Sequence, residues 1–446
     1  MEKWFAMIEK HRQKMQDVLD FMWKNPETGY REWKANAYLK EAYEKLGYQP
    51  LMAGDIPGFY MDLDTGRPGP KILILGELDS LICLEHPDAD PETGAVHACG
   101  HCAQSAALLG LAAALKEPGA LDGLSGSIRL CVVPAEELIE TGFREELRKK
   151  GIIHYFGGKV EFLYRGYFDG CDLAFMIHTS SGKPGTFVVH RGSNGCMVKN
   201  ITYHGKAAHA GGAPHLGVNA LYAANLGLSA INALRETFRD DDHIRVHPIL
   251  TAGGVAVNAI PDTVKLESYV RGASMEAIAE ANVRVNRALA GSAAAMGANV
   301  TLCDRPGYTP LINDETLNEL MADAMRTVVS AENVEVNDHW TTGCTDMGDL
   351  SAVMPAIHPH CSGASGVGHG ADYRISDFES ACMNSAKAQL ALVRILLENE
   401  AEKAKLVVKN AHPRYESFEA YFKAMDEVTL DVEAVEYHGR TASISF

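Results

Sequence analysis

No stretch of this sequence reaches the roughly 18 consecutive apolar residues that a membrane-spanning helix requires, so a spanning protein is not expected. The first residues, MEKWFAMIEKHRQKMQ, interleave charges with apolar groups and lack the unbroken apolar core of a secretory signal. Positive charge is also scarce. Lys and Arg number 41 against 58 Asp and Glu, a formal net charge of -17. Nucleic-acid binding needs a basic face, so that class is excluded, although a local basic pocket for an anionic ligand is not. Internal repeats and low-complexity segments are missing as well. These absences predict a cytoplasmic protein with reduced thiols, bound to neither membrane nor nucleic acid. Its ten cysteines are then mostly small buried hydrophobes. A cysteine set among histidines needs another explanation.

The chain has 446 residues, and single cores stop growing near about 250–300 residues, so at least two domains are expected. Apolar groups at Trp4, Phe5, Ile8, Met15, Val18, Leu19 and Met22 predict a helix over 3–24, followed by a second over 34–46. KILILG (71–76) and SIRLCVV (127–133) predict buried strands, DLAFMIH (172–178) a strand ending on His178, and residues 103–116 a buried helix. Between the first strand and that helix runs a long polar loop, a length that in compact domains usually signals function. Alternating strands and helices predict an α/β fold with a mostly parallel sheet. Chemistry in such sheets sits past the carboxyl ends of strands, where Asp79, Glu136, Glu137 and His178 fall.

The middle of the chain has another rhythm. A strand at 196–203, a helix at 217–236, strands at 245–252 and 263–271, a helix at 275–297 and a strand at 298–303 give the order β-α-β-β-α-β, which is ferredoxin-like. It reads as a lid or dimerisation domain over 193–306, inserted between the two parts of a catalytic domain, 1–192 and 307–446. A closing helix is expected at 379–399, and the charged tail beyond it carries no assigned role.

HACGHC (97–102) sets Cys99 and His101 two apart, with Gly100 between. A small residue there lets both heads converge on one cation, and thiolate with imidazole suits zinc and similar metals. PAEE (134–137) puts two carboxylates at the end of an apolar strand. Alone it reads as a solvated turn, but hydrolytic metal chemistry needs one carboxylate as ligand and another as general base. His178 at a strand end and His369 in the glycine-rich GVGHGADY complete a metal-suited set. HGKAAHAGGAPH carries His204, His209 and His215 within the inserted region.

Together these segments resemble the dinuclear-metal aminoacylase and carboxypeptidase superfamily of peptidases. The amidohydrolase branch fits best, with its p-aminobenzoyl-glutamate hydrolases, hippurate-type aminoacylases and auxin-conjugate hydrolases. The resemblance runs from NPETGYREW to the helix ending near 399 through GELDSL, HACGH, PAEE, GGKVEF with FDGCD, HGKAAHA, GGVAVNAIPD with VRG, and TDMGDLS. It implies Cys99, His101, Glu137, His178 and His369 as ligands of one or two divalent ions (Zn, Mn, Co or Ni). It implies Glu136 as general base, Asp79 as the acid supporting the metal centre, and His209 as an oxyanion donor, often across a dimer interface. Asn258 and Arg271 match residues that hold a substrate carboxylate. The reaction implied is hydrolysis of an amide bond in an N-acyl amino acid, aminoacyl conjugate or small peptide by a homodimer. Two features depart from the branch: Cys102 replaces a usual Asp or Asn, and Gln104 stands near a usual His. Residues 138–157 look like an insertion, read first as a solvated helix and second as a specificity wall. Two rivals remain, a thiol hydrolase using Cys99 and a catalytically silent homologue that binds a metal, a peptide or a partner.

Overall fold

The apolar run at 71–76 lies in the middle of a six-stranded sheet, buried on both faces as its lack of alternation requires. The structure is a computed structural model and describes residues 1–446. In chain order, the elements that position the site are β1 (Phe59–Asp64), β2 (Lys71–Glu77), α1 (His101–Leu115), β3 (Ser127–Val133), α2 (Thr141–Lys149), α3 (Gly158–Tyr164) and β4 (Leu173–Phe175). Next come β5 (Gly195–His204), α4 (Ala220–Leu234), β6 (Ile249–Ala252), β7 (Thr263–Gly272), α5 (Met275–Met296) and β8 (Asn299–Tyr308). The chain closes through β9 (Ala356–Ile357), β10 (His360–Ser365), α6 (Ser385–Asn410), α7 (Phe418–Glu427) and β11 (Leu430–Glu433).

Strands β3, β2, β4 and β9 lie side by side in parallel, and β1 adds an antiparallel neighbour to β3. This is the mostly parallel sheet that the alternating pattern predicts. Helix α1 is buried along its whole length and packs on β2 and α6. None of the helices is long and apolar enough to cross a membrane. The expected first helix is two, Glu2–Glu9 and Arg12–Lys24, because the chain turns at Lys10 and His11, whose side chains both reach Glu117. The expected strand at 172–178 stops at Phe175, and His178 opens a new strand, His178–Ser181, paired with β10 in a second sheet. Met176 and Ile177 stay buried through the crossing, so burial pattern alone hides it.

Between Gly195 and Tyr308 the order is β-α-β-β-α-β. Strand β5 is central, flanked antiparallel by β7 and β8, with β6 outside β7. Helices α4 and α5 pack against each other and on this sheet. The expected strand at 245–252 breaks at His247–Pro248, where proline has no N–H to donate. The last strand runs on to Tyr308 instead of stopping at 303, with Pro306 accommodated at a register shift opposite Met197.

Two segments without a predicted structural role brace this sheet against the rest. In the tail, the buried Tyr421 hydroxyl on α7 donates to Asp349 at 2.7 Å, and β11 then pairs with β8 as a further strand. From α2, the Thr141 hydroxyl donates to Asn200 of β5 at 2.7 Å. Arg305 on β8 joins both braces, at 2.9 Å from Glu145 of α2 and 2.7 Å from Asp431 of β11. Residues 138–157 are therefore not a merely solvated helix.

Candidate metal centre

The loop after β2 carries Asp79, which is fully buried. His101 Nδ1 donates to the Asp79 carbonyl and to its Oδ1, each at 3.0 Å, and this turns His101 Nε2 toward the centre. Asp79 Oδ2 accepts from the Glu137 N–H at 2.8 Å, so one carboxylate orients two neighbouring side chains. Gly100 has a φ of 90°, and a Cβ there would lie 2.5 Å from the Tyr373 hydroxyl. Only glycine turns the chain at this point, which lets Cys99 and His101 converge. Cys99 Sγ lies 3.5 Å from His178 Nε2, and His369 Nε2 lies 3.1 Å from Glu137 Oε1.

The donor atoms of Cys99, His101 and His178 lie within 4.8 Å of one another, and so do those of Cys99, Glu137 and His369. Two triads sharing a thiolate have the arrangement of two adjacent cation sites. Buried donor atoms facing one another support that fit. His101 Nε2 and Glu77 Oε2 lie 3.2 Å apart with no well-aligned hydrogen bond, and Glu137 Oε1 has only the His369 imidazole beside it. Glu77, Asp79, Glu136, Glu137 and Asp346 are all buried, against two buried cations, Lys159, bonded to Glu77 and Asp346, and Arg144, bonded to the Glu137 carbonyl. So many buried carboxylates with so little compensating charge call for divalent cations.

The electrostatics divide the two adjacent glutamates. Burial raises the Glu137 carboxyl, but the hydrogen bond and charge of His369 outweigh it and bring the group to about 2. Burial pushes the Glu136 carboxyl well above the usual range, and Glu77 and Glu137 add to the effect. Burial and Glu137 raise the Cys99 thiol, yet His101 and His178 together lower it to about 6, which favours the ligating thiolate.

The turn carrying these glutamates is held rigidly. Ala135 has a φ of 57°, and its N–H donates to the buried Glu32 at 2.8 Å. Three side chains from other elements then capture three successive carbonyls. Tyr308 of β8 donates to Glu136, Arg144 of α2 to Glu137, and Tyr269 of β7 to Leu138. Arg144 is fully buried and donates also to the Phe156 carbonyl at 2.6 Å. Arg144→Met leaves these buried acceptors without a donor, at about 1–3 kcal/mol each. The expected result is a stability loss of about 2–6 kcal/mol, read as a lower urea midpoint. An unchanged midpoint would show that Arg144 does not brace the turn.

A cavity of about 340 Å³ opens over the centre, lined by Cys99, Glu136, Glu137, His178 and His369. Arg271 also faces it, its guanidinium 5.1 Å from the Tyr269 ring centre. His190, His358 and His360 line another wall, and burial lowers all three imidazoles below their ordinary values. The structure does not bring His209 or Asn258 to this cavity. Both are exposed on neighbouring loops of the sheet formed by β5 to β8, where the Ala210 N–H donates to the Asn258 carbonyl at 2.9 Å. The N–H groups of Gly211 and Gly212 donate to His209 Nδ1 at 3.2 and 2.8 Å, which leaves Nε2–H as its free donor. Sequence reasoning missed Glu77, Lys159, Asp346, Arg144 and the histidine wall. Glu77, Lys159 and Asp346 lie in GELDSL, GGKVEF and TDMGDLS, segments that carry the resemblance, and only Glu77, closing the apolar run KILILG, has a further local signal.

Residues 73–395 match peptidase family M20/M25/M40. The Xaa-Arg dipeptidase of Mus musculus is 29% identical over 353 residues, covering 76% of this chain and 74% of that protein. The indole-3-acetyl-aspartic acid hydrolase of Enterobacter agglomerans is 31% identical over 284 residues, 60% of each. The crystal structure of a dinuclear metal-binding peptidase of the M20 family from Bacillus subtilis aligns with a TM-score of 0.64 at 20% identity, covering 88% of this chain and 99% of that one.

Proposed function

Because this chain belongs to peptidase family M20/M25/M40 and is a metal-dependent hydrolase, we propose that it cleaves an amide bond in an N-acyl amino acid, aminoacyl conjugate or small peptide bearing a free carboxylate. The observation that carries this reading is the pair of donor triads sharing Cys99, with Glu136 in neither of them but converging with Glu77 on His101 in a third group at their side. In this reading Cys99, His101, Glu137, His178 and His369 hold the ions, whether zinc, manganese, cobalt or nickel. Bound there, they supply Lewis acidity to the scissile carbonyl and to water. Glu136 takes the proton of the attacking water and delivers it to the leaving amine. Asp79 keeps His101 in the ligating tautomer. Arg271 offers the substrate carboxylate a planar, two-pronged donor, and Asn258 of the inserted domain, taken as 193–306, is carried on the loop bonded to that of His209 and acts together with it.

His209 acts in this scheme from a second copy of the chain. The inserted sheet has one edge covered by β11, while β6 at the other is exposed. Ile249 and Leu250 there, with Leu216, Tyr222 and Leu226 nearby in the chain order of α4, leave large apolar groups in solvent. An open edge with apolar side chains suits pairing with a copy of itself. The ten cysteines, all unpaired, agree with a cytoplasmic location.

Metal removal tests the reading. Purified protein is expected to carry about one to two transition-metal ions per chain and to turn over members of an N-acyl amino acid library. Chelation should abolish turnover and added metal restore it, while Cys99→Ala or His101→Ala should lower metal content. Full activity in protein shown metal-free by elemental analysis would refute it.

A further inference from the structure

The peptide that carries the two glutamates leaves its sheet before it reaches them. Strand β3 ends at Val133, so the carbonyls of Glu136, Glu137 and Leu138 have no neighbouring strand to supply donors. Ala135, just before them, holds a left-handed φ of 57°, a conformation that persists in a residue with a side chain only when its surroundings impose it. Arg144 is one of the three side chains that do so. The other two come from another sheet. Tyr269 on β7 and Tyr308 on β8 flank β5, opposite Val198 and Cys196, near the end where β5 begins at Gly195. Their hydroxyls cross from that sheet to the Leu138 and Glu136 carbonyls. Tyr308 is buried, and its ring passes Gly157, where a Cβ would lie 2.4 Å from its Cε1. The Tyr269 ring lies against the Arg271 guanidinium, and both tyrosines line the cavity.

We propose that Tyr308 is a positioning residue that acts through Glu136, resting on the reading of Glu136 as general base, and that Tyr269 supports it from two carbonyls further on. A buried hydroxyl that fixes the Glu136 carbonyl fixes the plane of the next peptide, and with it the direction in which the Glu136 side chain leaves the turn. A base must stand within about 2.6–3.2 Å of the water it deprotonates, so a displacement of about 1 Å is costly. Without the hydroxyl, other anchors of the turn remain. The Ala135 N–H still donates to Glu32 and the Glu137 N–H to Asp79, each at 2.8 Å. The turn therefore loosens at Glu136 without unfolding, and Glu137 stays anchored at the cation site. The loss falls on proton transfer, while ion binding and the hold of Arg271 on a carboxylate are spared. Two of the three carbonyl donors belong to the sheet of β5 to β8, so that sheet places the base although the base is not part of it.

The test is Tyr308→Phe in metal-loaded protein, which removes the hydroxyl and keeps the ring. Its kcat should fall ~10–10²-fold with KM and metal per chain unchanged. Gly157→Ala, which crowds the ring and leaves the hydroxyl, should lower kcat in the same way. Tyr269→Phe keeps the ring against Arg271 and should also lower kcat at unchanged KM. Added to Glu136→Gln, Tyr308→Phe should cause no further loss, because changes that act through one group do not add. Hydrogen exchange of the peptide spanning 134–140, followed by mass spectrometry, needs no turnover, and Tyr308→Phe should speed it at least ~tenfold. Unchanged kcat in Tyr308→Phe, a raised KM with kcat intact, or an undiminished loss on top of Glu136→Gln overturns the proposal. Full turnover in Glu136→Gln would remove the base reading and this route with it, whereas unchanged exchange beside an inactive Glu136→Gln would remove the proposal alone.

Discussion

Glu136→Gln is expected to keep its metal and its melting temperature and to lose turnover by at least ~10²-fold, the usual effect of removing a positioned base. Glu137→Gln is expected to lose metal instead. The two residues are neighbours, yet the turn sends their side chains to different tasks. The Glu137 carboxylate is 3.1 Å from His369 and belongs to a triad with Cys99, so in the proposed reading its charge is part of the cation site. The Glu136 carboxylate stands 3.9 Å from His101 Nε2, outside both Cys99 triads though grouped with Glu77 and His101, and it lines the cavity that the proposed reading gives to substrate. Gln keeps the shape and the hydrogen-bonding oxygen of Glu136 but cannot accept a proton, so only proton transfer is removed. The Tyr308 bond to the Glu136 carbonyl and the Arg144 bond to the Glu137 carbonyl do not involve the altered groups, and the turn should survive both changes. The measurements are kcat, metal per chain by elemental analysis, and thermal melting. If Glu136→Gln loses metal and Glu137→Gln retains it, the two roles are reversed.

What the sequence made legible was local. KILILG and SIRLCVV are strands because a strand buried on both faces shows as an unbroken apolar run. HACGH declares itself because two donors and the glycine that lets them converge lie within a few residues. The glutamate pair at the end of β3 is visible for the same reason. What stayed hidden depends on segments far apart in the chain. Lys159 sits in GGKVEF, which carries the resemblance but gives the lysine no role, and only the fold brings Glu77 and Asp346 to it. Arg144 resembles its neighbours Arg148 and Lys149 in sequence, but it alone is fully buried beneath the turn. The tail has weak periodicity because β11 is a short edge strand that takes its register from β8. His178 changed sheets without changing burial pattern, so its place at the site was readable while its strand was not.

His209→Ala should lower turnover by ~10²–10³-fold, the effect of losing an oxyanion donor, with metal content unchanged and substrate affinity little altered. The donor is prepared for that role: two glycine N–H groups occupy Nδ1, so Nε2 carries the hydrogen and is free to give it. In its own chain this imidazole is exposed and forms no part of the cavity wall. Folding the inserted sheet down to bring it there would strain the braces from α2 and from the tail, which meet at Arg305. A second copy pairing along β6 would instead present His209 from outside without breaking them. That geometry makes two inactive variants complementary. In a heterodimer of Glu136→Gln with His209→Ala, the site on the His209→Ala chain has its own Glu136 and receives His209 from the other subunit. The opposite site lacks both. With equal amounts and free exchange, half the dimers are mixed and each has one competent site, so turnover should recover to roughly a quarter of wild type for a closed two-fold dimer. Wild-type turnover in His209→Ala alone would exclude the oxyanion role. Inactivity without recovery on mixing would keep the role but assign it to closure within a single chain.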